Sequence, residues 1–468
     1  MTAARGNLSC SRWCSGVWRT AWAASLGFFF LSALAGENPV RYLRFEEVQE
    51  TLRLNADSGL PGSEIKGSEA WEAWIRARDG EVRGRIDRGI EDSLSNLILY
   101  GTSFTSLPRV ESVEFAATES GELRPATIAR LHAFALALAS GSKNERVLFV
   151  RDFLARKGIG KDSEQSYFTE NLRRLIAEQA AYQKKLGDAA NDRDPSAVYL
   201  ARGTLFETRG LSVDTSLLPN FALEETLRAM IRKGALTAGS MRRIAVIGPG
   251  LDFTDKRDGY DFYPLQTLQP FAVLEAVARL NLGKAEDLEV VCLDLNVAVV
   301  AHIQKLADRG RAGQAYTVEL PHDPRAEWSR EAVSYWKNFG ETLGSPRNPL
   351  PVPSSLGRVA VRAVAIRPQF AARLGVYNLN IVAETLDFPP GQGFDLMVAT
   401  NVLVYYNRLE QALAMANIAR MLNPGGIFLA NNVLPAQHTT DLDYLGRRTT
   451  AFTPGGAYGD DVVVYRRR

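Results

Sequence analysis

The chain has 468 residues, of which 46% are apolar and 23% charged, with 55 basic against 53 acidic residues and a formal charge of +2. That length exceeds one ordinary core, the apolar share excludes a disordered chain, and the charge balance excludes a dedicated nucleic-acid binder, which carries a clustered basic excess. Arg466, Arg467 and Arg468 read as a solvated basic end.

The first segment is unlike the rest. Arg5, Arg12 and Arg19 precede an apolar stretch over residues 21–36 (AWAASLGFFFLSALAG) that contains the small-x-small triplet Ala33-Leu34-Ala35. Positive flank, short apolar run and small residues form the secretory signal pattern. Residues 21–36 number fewer than the ~20 a bilayer span needs, so cleavage is expected and no stable membrane span after it. Residues 1–35 are therefore read as a signal peptide and the mature chain as exported, periplasmic or extracellular. The alternatives are a membrane-associated chain that keeps this segment and a cytoplasmic one whose start lies elsewhere. Cys10 and Cys14 fall in this segment and Cys292 in an apolar run, so neither a disulfide framework nor a zinc spacing can be built. The four histidines are scattered, and no metal site is expected. His132 shares a helical face with Ile128, Leu131, Ala135 and Leu138 and reads as a packed side chain.

Residues 36–214 read as a mostly helical domain with no assigned role. Pro125 opens a helix that ends near Gly141, and Leu172, Leu175, Ile176, Tyr182 and Leu186 recur at helical spacing until Gly187. Polar or glycine-rich breaks occupy residues 57–67 and 187–195. Two phrases, YGTSFTSLPR (100–109) and RGLSVDTSLLPN (209–220), are unusual and suggest no chemistry by themselves.

From about residue 215 to 468 the pattern changes. A helix over 221–233 is followed by near-continuous apolar runs, as expected of parallel strands buried on both faces. They are 242–248 (RRIAVIG), 288–294 (LEVVCLD), 377–384 (YNLNIVAE), 394–400 (FDLMVAT) and 426–433 (GIFLANNV). Pro270 opens a helix over 271–280, and Asn407 with Glu410 forms a capping box for another ending at Leu422. The last residues read as an antiparallel pair around a Pro-Gly-Gly turn. Strands alternating with helices predict a doubly wound α/β sheet.

Four residues or turns stand at the ends of these strands, where ligands bind in open α/β sheets. Gly248 and Gly250 let the backbone turn tightly and approach a ligand with no Cβ in the way. Asp294, ending the second strand, suits a ribose diol. Glu384, ending the third, suits an exocyclic adenine amine, and Asn401 follows the fourth. The ordered set predicts a nucleoside ligand.

This arrangement resembles the class I S-adenosylmethionine-dependent methyltransferase family. The matching phrases are IAVIGPG, VVCLDLN, NIVAETLD and FDLMVATNVLVYY, then ALAMANIARMLNPGGIFLANNV. The last two are most similar to chemotaxis-receptor and small-molecule methyltransferases. The resemblance covers about 220 residues and implies a Rossmann-like sheet, S-adenosyl-L-methionine as cofactor and a small-molecule or protein methyl acceptor. It places Gly248 and Gly250 at the methionine part, Asp294 at the ribose and Glu384 with Thr385 at the adenine; Leu295 and Asn401 are further cofactor-binding candidates. Leu251-Asp252 replaces the family's third glycine, so Asp252 either narrows the pocket or meets the cofactor's amino group. Two insertions depart from the pattern: residues 253–267, read as a lid, and about 302–367. Methyl transfer needs positioning more than covalent help, and no catalytic triad is visible. Tyr405 and Tyr406 are the catalytic candidates, with Asp261 and Tyr263 as other possible bases; the tyrosines serving only as pocket wall is the alternative. Rival readings are an exported, non-catalytic protein that keeps the fold and an NAD(P)-dependent oxidoreductase.

Overall fold

In chain order the elements are β1 (Val40–Tyr42), α1 (Phe45–Leu54), α2 (Ser68–Tyr100), α3 (Pro125–Ala139), α4 (Glu145–Lys157), α5 (Lys161–Ala190), α6 (Leu218–Arg232), β2 (Arg243–Ile247), α7 (Gln269–Arg279) and β3 (Glu289–Asp294). There follow α8 (Val297–Arg311), β4 (Tyr316–His322), α9 (Arg330–Asn338), β5 (Gly344–Arg347), β6 (Ala360–Ile366), α10 (Pro368–Ala371), β7 (Leu374–Asn378), β8 (Glu384–Leu386), β9 (Phe394–Ala399), α11 (Arg408–Met421), β10 (Leu422–Ala430), β11 (Leu442–Ala451) and β12 (Gly459–Arg467). The structure, a computed structural model, describes residues 39–56, 65–118, 120–191, 209–254, 260–389, 391–431, 441–456 and 458–468. The amino-terminal signal pattern lies outside the described residues. Residues 40–468 form one unit.

The apolar runs become a seven-stranded sheet in the order β11-β12-β10-β9-β2-β3-β7. The five strands from β10 to β7 are parallel, and β12 runs against its neighbours β10 and β11. The chain leaves β2 for β3 and β7 on one side, then returns beside β2 as β9. That reversal is the topological switch point, where a crevice opens at the strands' carboxyl ends. Both faces are covered, as the runs predict: Ile244 and Val246 of β2 pack into one apolar cluster, and Ala245 and Ile247 into the other. The same alternation holds for Leu396 and Val398 against Met397 and Ala399 on β9.

The insertion between β3 and β7 is ordered structure: α8, then an antiparallel three-stranded sheet β4-β6-β5 with α9 packed on it. The capping box on α11 forms as read, with Glu410 N–H donating to Asn407 Oδ1 at 3.0 Å and Asn407 N–H to Glu410 Oε2 at 2.9 Å. Gly187 does not stop α5, which runs to Ala190.

Two further expectations are corrected. The third strand of the sheet is 374–378, not 377–384, because Asn380 ends the run: its Oδ1 accepts from Val382 N–H at 3.1 Å and its carbonyl from Ala383 and Glu384 N–H. Residues 381–383 turn, and Glu384 opens a separate two-stranded ladder with β1. His132 is exposed, because α3 buries the face of Thr127, Leu131, Phe134 and Leu138, about 100° from it.

Helix α2 decides how the site is built. Its first half packs Trp71, Ile75 and Val82 on one face of the sheet, and its second half packs Ile90, Leu94, Leu97 and Ile98 on the other. Ile86, between them, touches both clusters. The helix thus crosses the carboxyl ends of the strands, over the switch point.

Candidate functional site

A cleft of about 720 Å³, open solvent included, lies at this crossing. Its floor is the end of β2 and the turn after it. Gly248 and Gly250 hold φ +63° and +64°, which favours glycine. A Cβ on Gly248 would meet Val402 Cγ2 at 2.5 Å, and one on Gly250 would meet the Val213 carbonyl at 2.7 Å. Ile247, Gly248 and Gly250 line the cleft beside Leu293, Asp294, Leu295, Asn296 and Val299. From the other strands come Leu379 and Ile381, then Thr400, Asn401, Val402, Tyr405 and Tyr406. The roof is Ile86 of α2 with Leu211, Ser212, Val213 and Asp214 of the strap that precedes α6.

Asp294 is buried, accepts from Asn296 N–H at 2.7 Å and also from Gly250 N–H. Burial pushes its carboxyl up to about 7, and the two amides pull it back only in part. Asn296 caps α8 through Oδ1, which accepts from Ala298 N–H at 2.9 Å, while its buried Nδ2 has no partner among the described residues. A buried donor of this kind is met in folded proteins by an ordered water, an ion or a ligand.

Asn401 is held at φ +56°, rare for a residue with a side chain. It is locked by Asn431: Asn401 N–H donates to Asn431 Oδ1 and Asn431 Nδ2 to Asn401 Oδ1, both at 2.7 Å. Asn431 Nδ2 also reaches Asp460 Oδ2 at 3.2 Å, and burial raises that carboxyl to about 6. Tyr405 and Tyr406 wall the cleft, with Arg85 Nη2 donating to the Tyr405 carbonyl at 2.7 Å. Burial, then Glu410, raises the Tyr406 phenol, so it stays protonated at neutral pH.

Three residues expected at the cofactor lie off the cleft wall. Glu384 Oε2 accepts from Arg83 Nη2 at 2.7 Å and from Asn380 N–H at 2.8 Å. Its place on the wall falls to Leu379 and Ile381, because the third strand ends earlier. Thr385 is buried, and its hydroxyl donates to the Leu386 carbonyl at 3.4 Å. Asp252 accepts from Tyr263 OH at 3.0 Å and Gln266 Nε2 at 2.8 Å, away from the cleft. Asp261 is fully buried and accepts from the amides and hydroxyls of Thr102 and Ser103, so the YGTSFTSLPR phrase is its cradle. Of the segment expected as a lid, residues 255–259 lie outside the described residues. The rest is stitched down: Arg146 donates to the carbonyls of Asp252, Phe253 and Tyr263.

Residues the sequence did not flag include Ile86, Asn296, Leu379, Ile381 and Asp214. Asp214 stood in the RGLSVDTSLLPN phrase, Asn296 in VVCLDLN, and Leu379 and Ile381 in the expected third strand, without being named as candidates. Arg83 also went unseen: it ties α2 to the floor through Asn378 Oδ1 at 2.7 Å, and Asn378 Nδ2 donates to the Asp294 and Leu295 carbonyls.

No family model matches the chain, and no curated protein is similar to it. Solved structures that it is similar to include the N-methyltransferase NodS from Bradyrhizobium japonicum WM9 in complex with S-adenosyl-L-homocysteine, at 12% identity, 61% of this chain and 97% of that one, TM-score 0.26. Magnesium protoporphyrin IX methyltransferase from Synechocystis PCC 6803 with bound SAM matches at 9% identity over 62% and 91%, TM-score 0.25. TrmN from Thermus thermophilus matches at 13% over 53% and 52%, TM-score 0.26. Likeness at that level leaves the activity to be argued from the site's own residues.

Proposed function

We propose that this chain is an S-adenosyl-L-methionine-dependent methyltransferase acting on a small-molecule or protein acceptor. The observation that carries the reading is the charge of the cleft. Among the described residues, its lining holds two carboxylates, Asp214 and Asp294, and no Lys, Arg or His. A dinucleotide would set its pyrophosphate by the glycine turn, against Asp214, at a repulsive cost. A ligand with a sulfonium and an ammonium meets the opposite sign.

The residues fit such a cofactor. Asp294 would accept from ribose hydroxyls, with Asn296 Nδ2 as a donor beside it. Leu295, Leu379 and Ile381 offer apolar faces to the adenine. The glycines leave room for the methionine end where a Cβ would fill the turn. The cofactor supplies an electrophilic methyl group. What the chain adds is position and exclusion of water, through the roof of Ile86 and Leu211 and the wall of Tyr405 and Tyr406. Tyr406, held protonated, acts as wall and donor, not as base. Asp261 and Tyr263, engaged elsewhere, are not bases for this site.

Calorimetric titration of the full chain with S-adenosylhomocysteine and with NADH tests the reading. Saturable binding of the first and none of the second is expected. Binding of NADH in preference would replace it with the oxidoreductase reading.

A further inference from the structure

We propose that Asp214, carried on the strap outside the sheet, receives the α-ammonium group of the cofactor. This rests on the methyltransferase reading above. The strap is pinned to the glycine turn: Leu251 N–H donates to the Val213 carbonyl at 2.7 Å, and Thr215 N–H to the Leu251 carbonyl at 3.0 Å. Asp214 forms a parallel bridge with Leu251, so its side chain enters the cleft beside Gly250. The glycine makes this approach possible, since a Cβ there would strike the Val213 carbonyl.

The carboxylate is held in place. Ser93 Oγ of α2 and Ser212 Oγ of the strap donate to Oδ2 at 3.3 and 3.2 Å. Asp294, the other carboxylate of the cleft, stands at the end of β3 with Asn296 and serves the sugar. Asp252, which the sequence offered for the ammonium, faces Tyr263 and Gln266 instead. The buried Nδ2 of Asn296, with no partner among the described residues, is a second polar group at this cleft.

The test titrates the full chain with S-adenosylhomocysteine and with methylthioadenosine, which keeps adenine, ribose and sulfur but lacks the amino-acid end. Asp214→Asn retains an oxygen for both seryl hydroxyls. It should weaken S-adenosylhomocysteine by roughly tenfold or more and leave methylthioadenosine within about twofold. Asp294→Asn should weaken both, because both carry the ribose. If Asp214→Asn weakens both ligands alike, or neither, the ammonium assignment is overturned while the function stands. If the parent chain binds neither ligand, both readings fall.

Discussion

Asp294 carries the clearest pH signature of the site. Its folded carboxyl titrates at about 7 against an ordinary value of 3.8, because burial disfavours the charge. A raised acid of this kind costs the ligand-free fold stability as pH climbs from the lower value through the higher. Ribose hydroxyls favour the ionised form, so affinity for S-adenosylhomocysteine should rise from about pH 6 to about pH 8 and level off above it. In Asp294→Asn that slope should vanish and affinity at pH 8 fall by roughly tenfold. The same variant, free of ligand, should melt higher than the parent at pH 8, since a buried charge is gone. Calorimetry across pH reads both, and a variant that keeps the parent's slope would remove Asp294 from the ligand. Gly248, Gly250, Asp294 and Asn401 were legible because each follows directly on an apolar run. Glu384 misled because its fate depends on Arg83, 301 positions away in the chain.

At the scale of elements, the site depends on how closely α2 and the strap approach. Gly89 and Gly210 allow it: a Cβ on Gly89 would lie 1.8 Å from the Leu211 carbonyl oxygen, and one on Gly210 2.0 Å from Gly89 N. Both obstacles are backbone and cannot swing aside. Gly89→Ala should therefore push the strap off the helix, with a loss of about 1–3 kcal/mol in stability. Leu211 and Asp214 move with the strap, so S-adenosylhomocysteine should bind more weakly and the amides of residues 209–214 exchange faster. Hydrogen exchange and a thermal melt check this; parent-like exchange in the strap would show that α2 does not hold it.

At the scale of the molecule, one apolar cluster joins Ile90, Leu94, Phe134, Phe153 and Leu172 of the helical region to Ile244, Val246 and Leu396 of the sheet. The sheet's own helix α7, buried from Gln269 to Val277, belongs to the same cluster, and α2 packs on both faces of the sheet. Helical region and sheet are therefore expected to unfold in one transition. Trp71 and Trp74 of α2, and Trp328 and Trp336 of the insertion between β3 and β7, provide separate fluorescence probes once the opposite pair and Trp13, Trp18 and Trp22 are replaced by Phe. Coincident denaturant midpoints are expected, and saturating S-adenosylhomocysteine should move both together, by about 2.7 kcal/mol at a hundred times its dissociation constant. Two resolved midpoints would mean that the roof folds apart from the floor.

The sequence by itself determined four of the five parallel strands, the glycine turn and the acid after β3, because hydrophobic period and strand-end chemistry are local. It also determined that residues near 100–109 and 209–220 were unusual, though not what they do. Only the tertiary structure decided that the first cradles Asp261 and the second roofs the cleft with Asp214. Only the tertiary structure turned Asp252 away, shortened the third strand at Asn378 and left His132 in solvent. Asp261 and Asp214 are held by partners distant in the chain, through hydrogen bonds and close backbone approaches that no local pattern encodes, whereas the third strand ends at a local turn on Asn380 inside an apolar run that masked it.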